Sequence, residues 1–146
     1  MTAQPEPVFA GPDLNLHHLG VACRSIDAET GLLEVLGYVR EGEDFEDPNQ
    51  GIRGRFLAGA GVRLELLEEL GDSGVLRPWL AGRIKIYHHA YETPDLDASL
   101  ARLLEAGARV ARPPLPAVAF GGRRVAFVML PNMMLVELID AGPSRS

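Results

Sequence analysis

The sequence repeats itself after about 70 positions, and this internal repeat limits the folds that the chain can adopt. The matched pairs are His18 with His88, Asp27 with Asp97, Leu33 with Leu103, Gly37 with Gly107, Phe56 with Phe127 and Glu65 with Glu137. The spacing drifts by one or two residues in the last pairs, as loops of slightly different length would cause. A repeat of this length indicates two copies of one supersecondary unit that pack against each other.

Both halves of the chain show the same predicted order of elements, which is one strand, one helix and three further strands. The apolar runs predict strands at 14–23, 38–41, 52–58, 62–68, 85–92, 108–112, 124–129 and 133–139. One helix is predicted from a cap at Ser25 or Asp27 to about Leu36, and the other covers 96–106 after Pro94 and Asp95. We expect loops at 43–51 and 115–122, and a short helix in the connector 70–82.

This pattern predicts an α+β fold made of two βαβββ modules. A length of 146 residues suits one domain with a sizeable core. We place that domain at 14–140, with modules at about 14–70 and 85–140. The segments 1–13 and 141–146 carry little periodic pattern, so we expect them to be loose tails.

Charge and composition exclude several classes of protein. The net charge of −6, without a basic stripe, argues against a nucleic-acid surface. No apolar run reaches the length of a membrane span, and the N-terminus lacks the pattern of a signal peptide. Cys23 is the single cysteine, so an internal disulfide is impossible. We therefore expect a cytoplasmic protein without a membrane or nucleic-acid partner.

The repeat places one histidine near the start and one glutamate near the end of each copy. These residues are His18 and Glu65 in the first copy and His88 and Glu137 in the second. All four lie in apolar strands, where an unpaired carboxylate costs several kcal/mol. Two imidazoles and two carboxylates that converge are most simply satisfied by a divalent cation, and mixed nitrogen and oxygen ligands suit iron, cobalt, nickel, manganese or zinc.

Two further histidines adjoin the candidate ligands. Strict alternation along a strand would turn His17 and His89 to the face opposite His18 and His88. We therefore interpret His17 and His89 as structural residues outside the metal site.

Four motifs resemble the vicinal oxygen chelate superfamily, which includes glyoxalase I, methylmalonyl-CoA epimerase, extradiol dioxygenases and bleomycin-resistance proteins. The motifs are His18-Leu19-Gly20-Val21-Ala22, Glu65-Leu66-Leu67-Glu68, His88-His89-Ala90-Tyr91-Glu92 and Leu135-Val136-Glu137-Leu138. The similarity runs from about Leu14 to Ile139 and is closest to the epimerases. Gln50-Gly51-Ile52-Arg53 and the stretch from Gly121 to Phe127 carry that closer likeness.

The resemblance implies that eight strands curl into a mixed sheet around a metal-lined cleft. Carried over by position, the metal ligands are His18, Glu65, His88 and Glu137, the same four that the repeat selects. The implied chemistry is proton transfer beside a carbonyl, in which the metal binds the carbonyl oxygens and Glu137 doubles as ligand and base. The implied substrate is a small carbonyl compound or acyl thioester, and a homodimer is possible.

The resemblance also points to residues around the ligand set. In the epimerases a glutamate precedes the Gln-Gly pair as a second base, whereas this chain has Asn49, whose amide cannot accept a proton at neutral pH. Asp47 and Glu46 are therefore the candidates for a second base. The expected substrate-binding residues are Asn49, Gln50, Arg53 and Arg123.

Three functions remain open from the sequence. The leading one is a metal-dependent isomerase or lyase, similar to methylmalonyl-CoA epimerase or glyoxalase I. An iron-dependent oxygenase on the same scaffold is the second, although extradiol dioxygenases use two histidines and only one carboxylate. A small-molecule binding or resistance protein is the third, and proteins of that type lack the metal set.

Overall fold

Two βαβββ units follow each other along residues 14–142, the part of the chain that the computed structural model describes. The first unit comprises β1 (Asn15–Ala22), α1 (Ile26–Glu34), β2 (Val39–Asp47), β3 (Ile52–Ala58) and β4 (Leu64–Glu69). A short helix α2 (Arg77–Ala81) connects it to the second unit. That unit comprises β5 (Ile86–Thr93), α3 (Leu96–Glu105), β6 (Arg109–Pro116), a 3-10 turn (Val118–Phe120), β7 (Arg124–Met129) and β8 (Leu135–Asp140).

The eight strands form one mixed sheet in the order β2-β3-β4-β1-β5-β8-β7-β6. The first strands of the two units, β1 and β5, pair antiparallel at its centre. Each of them pairs parallel with the last strand of its own unit, β1 with β4 and β5 with β8. The arrangement confirms the predicted fold class of two βαβββ modules in an eight-stranded sheet.

The helix ends repeat as well as the strands. Ser25 caps α1 by accepting a hydrogen bond from the backbone of Ala28, and Asp95 caps α3 through the equivalent bond from Ala98. Both helices are followed by a glycine with a φ of 101°, Gly37 and Gly107, a left-handed conformation that favours glycine. The sequence repeat is therefore also a repeat of backbone conformation.

Three apolar clusters hold the sheet together. One lies under α1 and one under α3, and both helices pack on the outer face of the sheet. The third fills the inner face of the curled sheet, where α2 contributes Trp79 and Leu80. The inner cluster includes side chains from both units, such as Ile52, Phe120 and Phe127, so it joins the modules.

Two strands extend further than the sequence pattern predicts. The sequence predicts residues 43–47 as the first part of the loop 43–51. They belong instead to β2, which continues to Asp47. The predicted end of the strand 108–112, just before Pro113 and Pro114, is also wrong, because β6 continues to Pro116. Both are edge strands, and β6 tolerates proline because an edge strand leaves one row of backbone N–H groups unpaired.

The two tails fall largely outside the described residues. Residues 1–13 and 143–146, which we expect to be loose, lie beyond the part that the structure describes. Ala141 and Gly142 are held in place, since the Ala141 backbone donates to Thr93 and the Gly142 backbone donates to the Asp140 side chain. Within residues 14–142, no helix combines the length and apolar character needed to cross a membrane.

Two hydrogen bonds join the edges of the curled sheet. The Asp47 carboxylate, at the end of β2, accepts a bond of 3.1 Å from the backbone N–H of Val118. The Arg112 guanidinium, on β6, donates a bond of 3.0 Å to the backbone carbonyl of Asn49. These contacts bring the first and second modules together on the side of the sheet opposite the central β1–β5 pair.

Arg55 anchors α1 to the outer face of the first module. Its side chain is only 3% exposed and donates hydrogen bonds to Asp44, Asp27 and Thr30. The hydrogen bond from Arg55 holds the pKa of Asp44 below its usual range. A buried guanidinium is tolerated here because its donors have partners.

We predict that Arg55→Met lowers the free energy of unfolding at pH 7 by about 1–3 kcal/mol, because Asp44, Asp27 and Thr30 each lose the hydrogen bond from the guanidinium. Urea unfolding measures the change. Arg40→Met is the matched control, since Arg40 is 57% exposed and lies 3.9 Å from Asp27. The effect of Arg55→Met should shrink below a pH of about 4, where a carboxyl with a lowered folded pKa loses its contribution. Equal losses in both variants would contradict the anchoring role.

Candidate metal centre

Four side chains from the central strands meet at one point inside the curled sheet. The Nε2 atoms of His18 and His88 lie 3.0 Å apart. The Oε1 atoms of Glu65 and Glu137 each lie 3.2–3.3 Å from both of these nitrogens. All four candidate ligand atoms lie within 4.8 Å of one another. The structure thus brings together the two histidines and two glutamates that the repeat selects.

The spacing and burial of these atoms fit a divalent ion. Bonds of about 2.0–2.2 Å from nitrogen and oxygen to a transition metal place adjacent ligand atoms about 3 Å apart. The four residues are at most 4% exposed. Glu137 Oε1 is buried and has no hydrogen-bond partner within residues 14–142, although it faces both imidazoles. An unpartnered buried carboxylate oxygen is unusual in a folded protein, and a cation would satisfy it.

Small residues in the central strands make room for the four ligands. Gly20 pairs with His88 on β5 and with Glu65 on β4. Its repeat mate Ala90 pairs with His18 on β1 and with Glu137 on β8. A Cβ atom at Gly20 would overlap the His88 ring. The absence of a side chain at position 20 therefore sets where His88 can lie.

Opposite charges stabilise this cluster when no metal is bound. Burial alone would lower the pKa of His18, but Glu65 and Glu137 outweigh it and raise the pKa to about 9. The pKa of His88 is also raised by Glu137 and Glu65 against the effect of burial. Burial opposes ionisation of Glu65 and Glu137, yet the two histidines hold both carboxyl pKa values below their usual range. Protons on the histidines therefore supply positive charge, and a metal would have to displace them.

The prediction that His17 points away from the cluster is wrong. Its Nδ1 lies 2.8 Å from Nδ1 of His18, and its ring contacts Phe56 and Phe120 inside the cleft. The pairing of β1 with β5 shifts register between Leu16 and His18, so strict alternation fails at His17. Burial lowers the pKa of His17, with the neighbouring His18 as the next cause.

Tyr87 repeats this behaviour before the second histidine. The β1–β5 register shifts again at Tyr87, between the pairs that His88 and Ile86 make. The Tyr87 ring lies in the inner core, with its centroid 5.0 Å from that of His88 and 4.6 Å from that of Trp79. Burial, together with Glu137 and Glu65, raises the pKa of Tyr87 to about 12 against the opposing effect of Arg112. The sequence signal that could have placed His17 in the cleft is its position in the repeat. His17 matches Tyr87, whose ring is apolar, and each of them directly precedes a candidate ligand histidine.

The two sides of the cluster differ in shape. On the first-module side, His17, Phe45, Phe56 and Phe120 pack with ring centroids 5.3–6.1 Å apart and close the space near His18. On the second-module side, a cavity of about 180 Å³ has in its lining Tyr87, which precedes His88, and Phe127, which pairs with Glu137. Its lining residues are Val75, Trp79, Tyr87, Ala111, Arg112, Phe127, Met129 and Leu135. The lining residues with polar side-chain groups are Arg112, Tyr87 and Trp79.

The structure separates the two candidates for a second base from the cluster. Asp47 is 1% exposed, and its carboxylate accepts hydrogen bonds from the backbone N–H groups of Asn49, Gln50 and Val118. These bonds assign the Asp47 side chain to the turn and to the contact between the sheet edges. Glu46 is exposed to solvent.

The candidate substrate-binding residues lie in different places. Asn49 and Gln50 lie in the β2–β3 turn and line a small cleft next to Arg112. Arg53 forms ion pairs with Asp44 and Glu68, so its charge is directed to the side of β3 that carries the Arg55 network. Arg123 lies after the 3-10 turn and donates to the carbonyl of Phe120.

Comparison with known proteins gives a consistent match. The profile of the Glyoxalase/Bleomycin resistance protein/Dioxygenase superfamily matches residues 17–127. An ethylmalonyl-CoA/methylmalonyl-CoA epimerase of Cereibacter sphaeroides is 30% identical over 129 residues, which cover 84% of this chain and 95% of that protein. The profile match spans parts of both modules and includes His18, Glu65 and His88.

Solved structures support the same relationship. Methylmalonyl-CoA epimerase from Mycobacterium tuberculosis superposes with a TM-score of 0.74 at 26% identity, over 94% of this chain and 93% of that one. A variant of the Streptomyces coelicolor methylmalonyl-CoA epimerase, in complex with 2-nitronate-propionyl-CoA, gives a TM-score of 0.71 at 27% identity. That match covers 90% of this chain and 98% of the epimerase.

We predict that Gly20→Ala destabilises the metal-free protein by about 1–3 kcal/mol, because the new methyl group displaces the His88 ring. Gly31→Ala is the matched control, since Gly31 lies in α1 with open space around it. That change should stabilise the protein by about 0.5–1 kcal/mol. Urea unfolding of both variants distinguishes the two effects, and an unchanged stability of Gly20→Ala would show that the glycine is not needed for His88 packing.

Proposed function

Because the chain belongs to the Glyoxalase/Bleomycin resistance protein/Dioxygenase superfamily, we propose that it is a metal-dependent isomerase or lyase that moves a proton beside a carbonyl group. The convergence of His18, Glu65, His88 and Glu137 is the observation that carries this proposal. The named activity of the Cereibacter relative supports a substrate of the acyl-CoA thioester class.

The metal would be held by His18, Glu65, His88 and Glu137. The two imidazoles and two carboxylates form a donor set that suits cobalt, nickel, zinc, manganese or iron. When bound, such an ion supplies Lewis acidity, which makes the proton next to a coordinated carbonyl more acidic. Four protein donors leave room for substrate oxygen atoms on an ion that accepts six ligands.

Glu137 is the residue that we propose as the base. Its register partner Phe127 and Leu135, two residues before it on β8, line the cavity on the second-module side. Glu65 is paired with Phe56, whose ring belongs to the closed aromatic side. A base must be within hydrogen-bond reach of the proton that it removes, and Glu137 is the carboxylate of the cluster whose strand neighbours line the cavity.

The apolar cavity suits the carbon skeleton of the substrate. Trp79, Phe127, Met129 and Leu135 give this cavity apolar walls, from which a bound substrate would displace water. Exclusion of water strengthens electrostatic interactions within the site and prevents loss of the proton to solvent. Arg112, Tyr87 and Trp79 carry hydrogen-bond donors among the lining residues, and Arg112 can orient a polar group of the substrate.

A single base limits the reaction that the protein can catalyse well. The Asp47 carboxylate is occupied by three backbone N–H groups, Glu46 is exposed, and Asn49 has no basic side chain. Epimerisation requires proton removal on one face of the carbon and delivery on the other. We therefore propose that the protein exchanges a proton on one face and is a weak methylmalonyl-CoA epimerase.

The first prediction of this proposal concerns metal content. Protein reconstituted with Co²⁺ should retain about one ion per chain, and saturation at a hundred times Kd should stabilise it by about 2.7 kcal/mol. Glu137→Gln should lose the ion, whereas Glu92→Gln should keep it, because Glu92 lies outside the cluster. Elemental analysis and thermal unfolding measure both effects. Absence of metal after reconstitution would overturn the proposed mechanism.

The second prediction concerns the direction of proton transfer. In heavy water, the metal-loaded protein should incorporate deuterium into one methylmalonyl-CoA epimer at least about tenfold faster than it interconverts the epimers, since a missing acid–base group costs about 10²–10⁴-fold. Mass spectrometry follows incorporation, and chiral analysis follows interconversion. Glu46→Gln is the control that should leave exchange unchanged. Rapid interconversion that survives both Glu46→Gln and Asp47→Asn would show that a further base exists.

A further inference from the structure

The candidate ligand His18 has a direct partner for its second ring nitrogen, and that partner is the preceding residue. Nδ1 of His17 lies 2.8 Å from Nδ1 of His18, within hydrogen-bond distance. The other nitrogen of His18, Nε2, lies 3.0 Å from His88 and 3.2 Å from each glutamate. Each nitrogen of the His18 ring therefore faces one distinct environment.

This arrangement restricts where the proton of His18 can reside. An imidazole nitrogen that binds a metal must be free of its proton, so a neutral His18 that binds through Nε2 carries its proton on Nδ1. That N–H needs an acceptor, and His17 Nδ1 is in position to accept it. If His17 Nδ1 donated the hydrogen bond instead, His18 Nδ1 would accept it. The proton of neutral His18 would then be on Nε2, and that nitrogen could not bind a metal.

His17 is itself held in place by three contacts. Its backbone carbonyl accepts a hydrogen bond of 3.0 Å from the Arg63 guanidinium. Its ring lies edge-on to Phe56 and Phe120, with centroid distances of 5.9 and 5.3 Å. The register shift at this point of β1 turns the side chain into the cleft. These contacts fix the acceptor relative to His18 and reduce the entropy lost when the hydrogen bond forms.

The second histidine is oriented by different means. Nδ1 of His88 is buried and has no hydrogen-bond partner among residues 14–142. The repeat mate of His17 is Tyr87, whose ring packs against His88 without accepting from it. The His88 ring is instead confined by Gly20 and by the Phe127 ring at 5.3 Å. The two halves of the cluster therefore differ in how they orient their imidazoles.

We propose that His17 is a positioning residue for the metal site, which holds His18 in the Nδ1–H form with the Nε2 lone pair directed at the cluster. This inference rests on the proposed metal-dependent function and assigns a role to a residue outside the ligand set. Partners of this kind on metal-binding histidines raise metal affinity by about 10–100-fold. Because the support exists at His18 and not at His88, its loss should weaken one ligand selectively.

The test compares Co²⁺ binding by the metal-free full-length protein and three variants. His17→Phe keeps a ring of similar size and removes the acceptor, so its Kd for Co²⁺ should rise about 10–100-fold. His17→Asn offers an amide oxygen near the position of Nδ1, and it should recover most of that affinity. His89→Phe is the matched control, because His89 adjoins the ligand His88 and lies outside the ligand cluster, and its Kd should match that of the natural sequence.

Two further readouts separate positioning from packing. The visible absorption spectrum of bound Co²⁺ should change in His17→Phe and return in His17→Asn. In the Zn²⁺-loaded natural protein, ¹⁵N NMR of the imidazoles should show a protonated Nδ1 on His18. The melting temperature of each metal-free variant shows whether the fold is retained.

The outcomes distinguish this inference from the proposed function. If the natural sequence binds no Co²⁺, the proposed function and this inference both fail. If the natural sequence binds Co²⁺ and His17→Phe binds it equally well, only the role of His17 is overturned. Equal weakening in His17→Phe and His17→Asn would also overturn it, because the loss would then reflect packing of the ring rather than the hydrogen bond.

Discussion

Two carboxylates and two imidazoles converge inside an apolar sheet, and this electrostatic constraint governs the rest of the molecule. Each glutamate oxygen lies 3.2–3.3 Å from both histidine nitrogens, at sites almost without solvent exposure. Two carboxylates that are buried in the same cluster require compensating positive charge. Protons on the histidines provide it in the metal-free protein, and a divalent cation would provide it in the loaded one.

The duplicated fold is what makes such a cluster possible. Each βαβββ unit supplies one histidine from its first strand and one glutamate from its last, and the two units meet along the antiparallel β1–β5 pair. Gly20 and Ala90, at equivalent positions, leave the space that the imidazoles and carboxylates occupy. Symmetry alone does not decide function, because aromatic rings close one side of the cluster and a cavity opens on the other. This asymmetry is the reason why we propose that substrate binds on the second-module side.

The sequence was sufficient to predict the element order, the sheet class and the residues that converge. The element order and the converging residues follow from periodicity, from caps such as Ser25 and Asp95, and from a repeat that matches His18 with His88, whereas the sheet class follows from the family resemblance. The orientation of His17 could not be obtained from alternation, because a register shift in the β1–β5 pairing turns two neighbouring side chains to the same side. The role of Asp47 was also hidden, since its partner Val118 lies 71 residues away across the sheet edges. Local patterns contain no information on such long-range contacts.

Anomalous X-ray diffraction from crystals of the Co²⁺-loaded protein tests the central claim most directly. The account predicts one strong anomalous peak per chain, within about 2.2 Å of His18 Nε2, His88 Nε2, Glu65 Oε1 and Glu137 Oε1. A peak at any other place in the chain, or a fully ordered cluster with no peak at saturating Co²⁺, would contradict it. In that case the buried charges would be balanced by protons alone, and the four residues would form a structural network.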